Sequence, residues 1–169
     1  MTEEFIINNA GSDNEIYEQL IPQIDSIVSV EEPIISNLAN VTAALKQCFK
    51  KISWVGFYLA VDEKLCLGPF QGNVACTIIP FGKGVCGTSA LKKETIIVSD
   101  VEKFPGHIAC DSGSKSEIVV PIILDGNVAG VLDLDSYNYT AFNETDKFFL
   151  EQIIKILISK LDFCKFHLT

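Results

Sequence analysis

At 169 residues the chain is long enough for one domain with a sizeable core, and its 48% hydrophobic and 21% charged content are those of a globular protein. A formal net charge of −9 and a pI near 4.6 argue against a nucleic-acid backbone or an anionic membrane as partner. No uninterrupted apolar run approaches the ~18–20 residues needed to cross a bilayer, and Met1-Thr2-Glu3-Glu4-Phe5 lacks the basic start of a secretory signal. The expectation is a single cytoplasmic domain over residues 1–169, with residues 1–12 as a flexible leader and six cysteines as free or catalytic thiols.

Taken in order, the first helix is expected from a cap at Asp13 to about Val28, with Ile16, Leu20, Ile24 and Ile27 on one face and a kink at Pro22. Glu31-Glu32-Pro33 is a break that starts a second helix, along which Ile34, Leu38, Val41, Leu45 and Cys48 recur at helical spacing. Ile52 to Leu59 is β-branched and aromatic, a strand signature. Asp62-Glu63 turns the chain into a second strand from Leu65, and Cys76 opens a third run, Thr77-Ile78-Ile79. Gly82-Lys83-Gly84 leads into a short helix holding Cys86, Ala90 and Leu91, and Thr95 to Val98 is a fourth strand. Residues 99–116 form a long connection, of the kind that is functional or mobile. Residues 117–124 and 128–136 flank Asp125-Gly126-Asn127 and predict a hairpin. Asn143 caps a closing helix with Glu144 and Asp146 in its first turn. The sum is α+β: a sheet of about six strands with helices before and after it.

The chemistry concentrates between Gly68 and Cys110. Cys76, Cys86 and Cys110 fall there, ten and twenty-four residues apart, beside glycines or small residues. Zinc ligands usually pair two to four residues apart, so this spacing suggests redox or nucleophilic thiols and no metal. Cys48, Cys66 and Cys164 have apolar neighbours and read as packing residues. Cys110 lies three residues after His107, which could help hold a thiolate. Cys86 is in the first turn of its helix, where the dipole would lower a thiol pKa. Asp133 and Asp135 share one sheet face, with Glu117 opening the neighbouring strand. Such acids either form a proton-donating pocket cluster or mark an ordinary solvated face. Trp54 and Tyr58 share a face too, as core or as an aromatic wall. Gly82 to Thr88 lacks the order of a phosphate loop.

Several strings together resemble one family. Trp54-Val55-Gly56-Phe57-Tyr58, Gly68-Pro69-Phe70-Gln71-Gly72, Phe81 to Thr88, Gly106 to Asp111, Ser116 to Val119 and Gly130 to Ser136 closely resemble the free methionine-(R)-sulfoxide reductases, single GAF domains, over about residues 33–160. The resemblance implies a GAF fold, with a central antiparallel sheet, terminal helices on one face and the ligand pocket on the other. It implies reduction of the free amino acid's R-sulfoxide by Cys110 as nucleophile, through a sulfenic acid. Cys76, or Cys86, would then form a disulfide that thioredoxin reduces. Cys76 is the favoured resolving thiol, and first attack by Cys86 remains an alternative. Glu117, Asp133 and Asp135 match the acids that would hold the substrate ammonium and protonate its oxygen. Trp54 and Tyr58 match the wall for the S-methyl group. No bound cofactor, metal, nucleic acid or membrane is implied, thioredoxin is the external reductant, and a homodimer is left open. Asn73 departs from the pattern, where lysine is usual. The rival reading is a GAF sensor of a small ligand or of redox state, without turnover.

Overall fold

The computed structural model describes residues 10–108 and 111–163. Its centre is a six-stranded antiparallel sheet of strands β1 (Trp54–Val61), β2 (Lys64–Gln71), β3 (Ile78–Pro80), β4 (Ile96–Val98), β5 (Ser116–Leu124) and β6 (Asn127–Ser136), in the order β3-β2-β1-β6-β5-β4. Two-residue turns set the register of both hairpins. Asp62 and Glu63 join β1 to β2 at φ 48° and 58°, and Asp125 and Gly126 join β5 to β6 at 48° and 79°. Two consecutive positive φ values give a turn whose twist matches that of the strands.

Alternation along the strands sorts the two faces. Val55, Phe57 and Leu59 of β1, Ile118 and Val120 of β5, and Leu132 and Leu134 of β6 join the larger core. Helices α1 (Asp13–Ile27), α2 (Ile34–Cys48) and α4 (Glu144–Lys160) cover that face with Leu20, Leu38, Leu45, Leu150 and Ile153. On the other face Trp54, Tyr58, Val119 and Val131 meet Val85, Cys86 and Ala90 of helix α3 (Gly84–Lys92) in a smaller core. The expected layering, with α1 and α4 on one face and the pocket on the other, is the one observed.

Local chemistry moved several expected boundaries. Ser12, not Asp13, caps α1: Glu15 N–H donates to the Ser12 hydroxyl at 3.4 Å, and Ser12 N–H donates to the Glu15 carboxylate at 2.8 Å. This reciprocal capping box draws Ser12 out of the expected leader, whose residues 1–9 lie outside those described. α1 runs through Pro22 to Ile27. β1 begins at Trp54 because the Ile52 N–H is taken by the Phe49 carbonyl at 3.1 Å, in the turn that leaves α2. The long connection contains a 3-10 turn, Val101–Lys103, and Ser116 already belongs to β5. Cys48 is buried as expected, whereas Cys66 is only half-buried, since β2 lies one strand from the sheet edge and buries little beyond Leu65. Cys164 lies outside the described residues. Among the described residues no helix is long and apolar enough to cross a membrane.

Candidate active site

The antiparallel register brings the predicted side chains together. Asp135 lies between Trp54 of β1 and Glu117 of β5, and Asp133 lies between Gly56 and Val119. By alternation Glu117, Asp133, Asp135, Trp54 and Tyr58 all face α3, and they line one pocket with Cys86. Trp54 spreads across Gly56, where a Cβ would stand 2.3 Å from the indole ring, so the glycine makes room for the ring. The Trp54 ring stacks between Tyr58 and Phe70, with centroids 6.0 and 5.5 Å away. α3 can lie this close because Gly87 has no side chain: a Cβ there would meet the Pro80 carbonyl at 2.3 Å. That approach delivers Cys86 onto the acids, its Sγ 3.9 Å from Glu117 Oε1. The sequence left open whether these acids were solvated; Glu117 and Asp133 are each 6% exposed.

Burial without a neutralising cation dominates the electrostatics. Among the described residues no lysine or arginine pairs with these acids, and the one basic neighbour within ion-pair range is His107, whose Nε2 lies 3.8 Å from Glu117 Oε2. Burial, and then the charges of Asp133 and Asp135, push Glu117 well above the usual carboxylate range. Burial and the Asp133 charge do the same to Asp135, and burial takes Asp133 up to about 7. The cluster therefore retains protons near neutrality, which equips it to donate one. The expected lowering of the Cys86 pKa is overturned. Burial, followed by the Asp133 and Glu117 charges, raises it well above the ordinary thiol value. A helix dipole lowers a thiol pKa at an exposed helix start, whereas this fold buries the Cys86 thiol beside carboxylates. Burial also lowers the His107 pKa, so the imidazole is neutral and turned toward Glu117.

Two loops close over the pocket, and the sequence did not reveal how they are tied. Tyr58 OH donates to the Cys76 carbonyl at 3.1 Å, and Trp54 Nε1 to the Asn73 carbonyl at 3.0 Å. Asp111 Oδ2 accepts from Tyr137 OH at 2.8 Å and from Asn73 Nδ2 at 3.2 Å, while Asn73 Nδ2 also donates to Tyr137 OH at 3.1 Å. Asn73, where the resemblance led us to expect lysine, thus works through amide hydrogen bonds. Both wall residues are also anchors for the loop that carries Cys76.

The GAF domain pattern matches residues 38–157. The chain belongs to the GAF domain family. It is 54% identical over 158 residues to GAF domain-containing protein A of Dictyostelium discoideum, covering 93% of this chain and 99% of that protein. It is 48% identical over 151 residues to the free methionine-R-sulfoxide reductase of Saccharomyces cerevisiae, covering 85% and 84%. The crystal structure of free methionine-R-sulfoxide reductase from Neisseria meningitidis in complex with its substrate superposes with a TM-score of 0.85 at 45% identity, covering 92% and 95%.

In this GAF domain Cys76 is disulfide-bonded, and Cys48, Cys66 and Cys86 are free. The expected nucleophile, Cys110, and its pairing lie outside the described residues. Cys86, Trp54, Tyr58, Glu117, Asp133 and Asp135 are brought together in the pocket, with Cys76 on the loop above them.

Proposed function

We propose that this GAF domain reduces free methionine-(R)-sulfoxide to methionine. The observation that carries the reading is one cleft that combines two buried carboxylates and a half-buried third, an indole wall and a loop with a disulfide-bonded cysteine. A free amino acid brings an ammonium group, a polar S=O and a methyl group, and the cleft offers a complement to each. The relative from yeast carries the name of this activity, and the Neisseria protein binds the substrate of this activity.

In the proposed cycle the ionised members of the acid cluster hold the ammonium, and a protonated one donates to the sulfoxide oxygen. The Cys110 thiolate attacks sulfur while the oxygen takes a proton from the acid cluster. The S–O bond breaks with passage of the OH to the Cys110 sulfur, the transient bond between the two sulfurs breaks, and methionine leaves with Cys110 as a sulfenic acid. The Cys76 thiol attacks that sulfenic sulfur and expels water, forming the disulfide. The summed reaction takes one sulfoxide and two thiols to one sulfide, one disulfide and water. Thioredoxin then reduces the disulfide by exchange, so the electrons come from thiols, no bound cofactor is needed, and the cycle suits a reducing compartment such as the cytoplasm. Cys76 as the partner of Cys110 is supported by its being disulfide-bonded while the other described cysteines are free. The raised pKa of Cys86 favours Cys110 over Cys86 as the attacking thiol.

Thioredoxin-coupled NADPH oxidation tests this reading, with the free R-sulfoxide, the S epimer and a peptide sulfoxide in parallel, on the natural chain and on Cys110→Ser. Turnover is expected with the free R epimer alone and is lost in Cys110→Ser. Turnover surviving that substitution moves the nucleophile to Cys86, and no turnover with any sulfoxide overturns the reading in favour of a sensor.

A further inference from the structure

We infer that Cys86, Glu117 and Asp133 form a binding site for a divalent ion of the zinc class at the floor of the pocket. One donor atom from each residue lies within 4.8 Å of the other two, and all three residues are buried. They come from α3, β5 and β6, so the site has no ligand spacing in the sequence and escapes any search by motif. The 3.9 Å from Cys86 Sγ to Glu117 Oε1 is close to the roughly 3.5 Å separating sulfur and oxygen ligands on a tetrahedral zinc ion. An independent feature points to a ligand: Asp133 Oδ1 is buried with no hydrogen-bond partner among the described residues. A buried carboxylate oxygen left unmatched is costly, and a bound cation would satisfy it.

The donor set selects the ion. Two carboxylates alone would suit a hard cation, but a thiolate turns the preference toward Zn²⁺. Three protein ligands leave a fourth position open toward the cleft, where water or an added ligand can enter. Binding replaces the Cys86 thiol proton, and the protons that Glu117 and Asp133 retain, with one sulfur–zinc and two oxygen–zinc bonds; the protons go to solvent and no electrons are transferred. The ion takes up the charge of Glu117 and Asp133 together with the Cys86 thiol. It therefore excludes any ammonium-bearing ligand that needs the same acids, and acts on the pocket as an inhibitor.

The test reads ligation and not turnover, so its failure leaves the proposed activity standing, and the failure of that activity leaves this site standing. Co²⁺ serves as the spectroscopic probe on protein whose Cys76 disulfide is intact, and Zn²⁺ binding is followed by calorimetry. A sulfur-to-cobalt charge-transfer band is expected, and it is lost in Cys86→Ser. Asp133→Asn keeps the side-chain volume and guards against a folding failure of the first variant. It is expected to weaken Zn²⁺ by at least the roughly tenfold that loss of an outer-sphere partner costs. No thiolate band at saturating Co²⁺, an equal band in Cys86→Ser, or an unchanged Zn²⁺ affinity in Asp133→Asn each overturns the site.

Discussion

Asp133 is where the needs of chemistry and of stability collide. Its carboxylate is buried beside Glu117 and Cys86, and burial raises it from 3.8 to about 7. The unfolded chain gives up this proton near the ordinary carboxylate value, whereas the folded chain keeps it until near neutrality. Between those limits the fold binds more protons than the unfolded chain, so this contribution to stability is present at low pH and lost as pH rises through the folded pKa. Glu117 and Asp135, also raised, act in the same sense. The natural chain is therefore expected to melt at a higher temperature at about pH 5 than at about pH 8. Asp133→Asn takes away one buried charge, and at about pH 8 it is expected to stabilise the fold by roughly 1–3 kcal/mol while turnover falls. A series of melts on both chains across that range checks the sign. A natural chain that gains stability toward alkaline pH, with the variant no more stable than it, would rule out the buried-acid account.

Among the elements, α1 and α4 depend on a polar knot that no single helix could make. Asp146, fully buried at the start of α4, accepts from the Asn143 N–H at 2.9 Å, from Tyr17 OH of α1 at 2.9 Å and from Lys51 Nζ at 2.6 Å. Lys51, just before β1, also pairs with Asp13 at 2.6 Å and donates to the Ala141 carbonyl at 3.0 Å. Asp146→Ala would strand the Tyr17 phenol and the Asn143 N–H and leave the Lys51 ammonium with Asp13 and the Ala141 carbonyl, and the expected loss is roughly 2–4 kcal/mol. Ser12→Ala, which removes only an exposed cap, is expected to cost about 1 kcal/mol. Urea midpoints of the two variants separate these outcomes, and equal losses would reduce Asp146 to an ordinary cap. The elements themselves were legible, because helical spacing, β-branched runs and the Asp125-Gly126 turn are local signals. The cap at Ser12 is legible as well, in the Ser12-to-Glu15 spacing, although Asp13 beside it is an equally good capping residue type. The knot was not legible, since Lys51 and Asp146 are 95 residues apart and no periodicity joins them.

At the scale of the whole molecule, the pocket was readable in part. Placing Asp133 and Asp135 on one face needed only the two-residue period of a strand, and the hairpin register then set Glu117 opposite Asp135. The direction of the Cys86 shift was not readable, because it depends on what α3 covers. Nor was the clasp of Asn73, Asp111 and Tyr137, which ties the loop before β3 to the loop before β5 and to the end of β6. In the proposed cycle these two loops carry Cys76 and Cys110, and the disulfide forms only when they are held together. Tyr137 is partly exposed, so Tyr137→Phe should change global stability by no more than about 0.5 kcal/mol. Removing its hydroxyl, however, deprives Asp111 of its shortest side-chain contact and Asn73 of one acceptor. A hydrogen bond of about 1 kcal/mol corresponds to a several-fold change in rate. In a single turnover, sulfenic acid on Cys110 should thus form at the natural rate in Tyr137→Phe and persist several-fold longer before Cys76 resolves it. Trapping the sulfenic acid with a dimedone probe at successive quench times measures both steps. A sulfenate that decays as fast as in the natural chain would show that the clasp only decorates the loops, and that the pocket walls Trp54 and Tyr58 suffice to hold Cys76 in place.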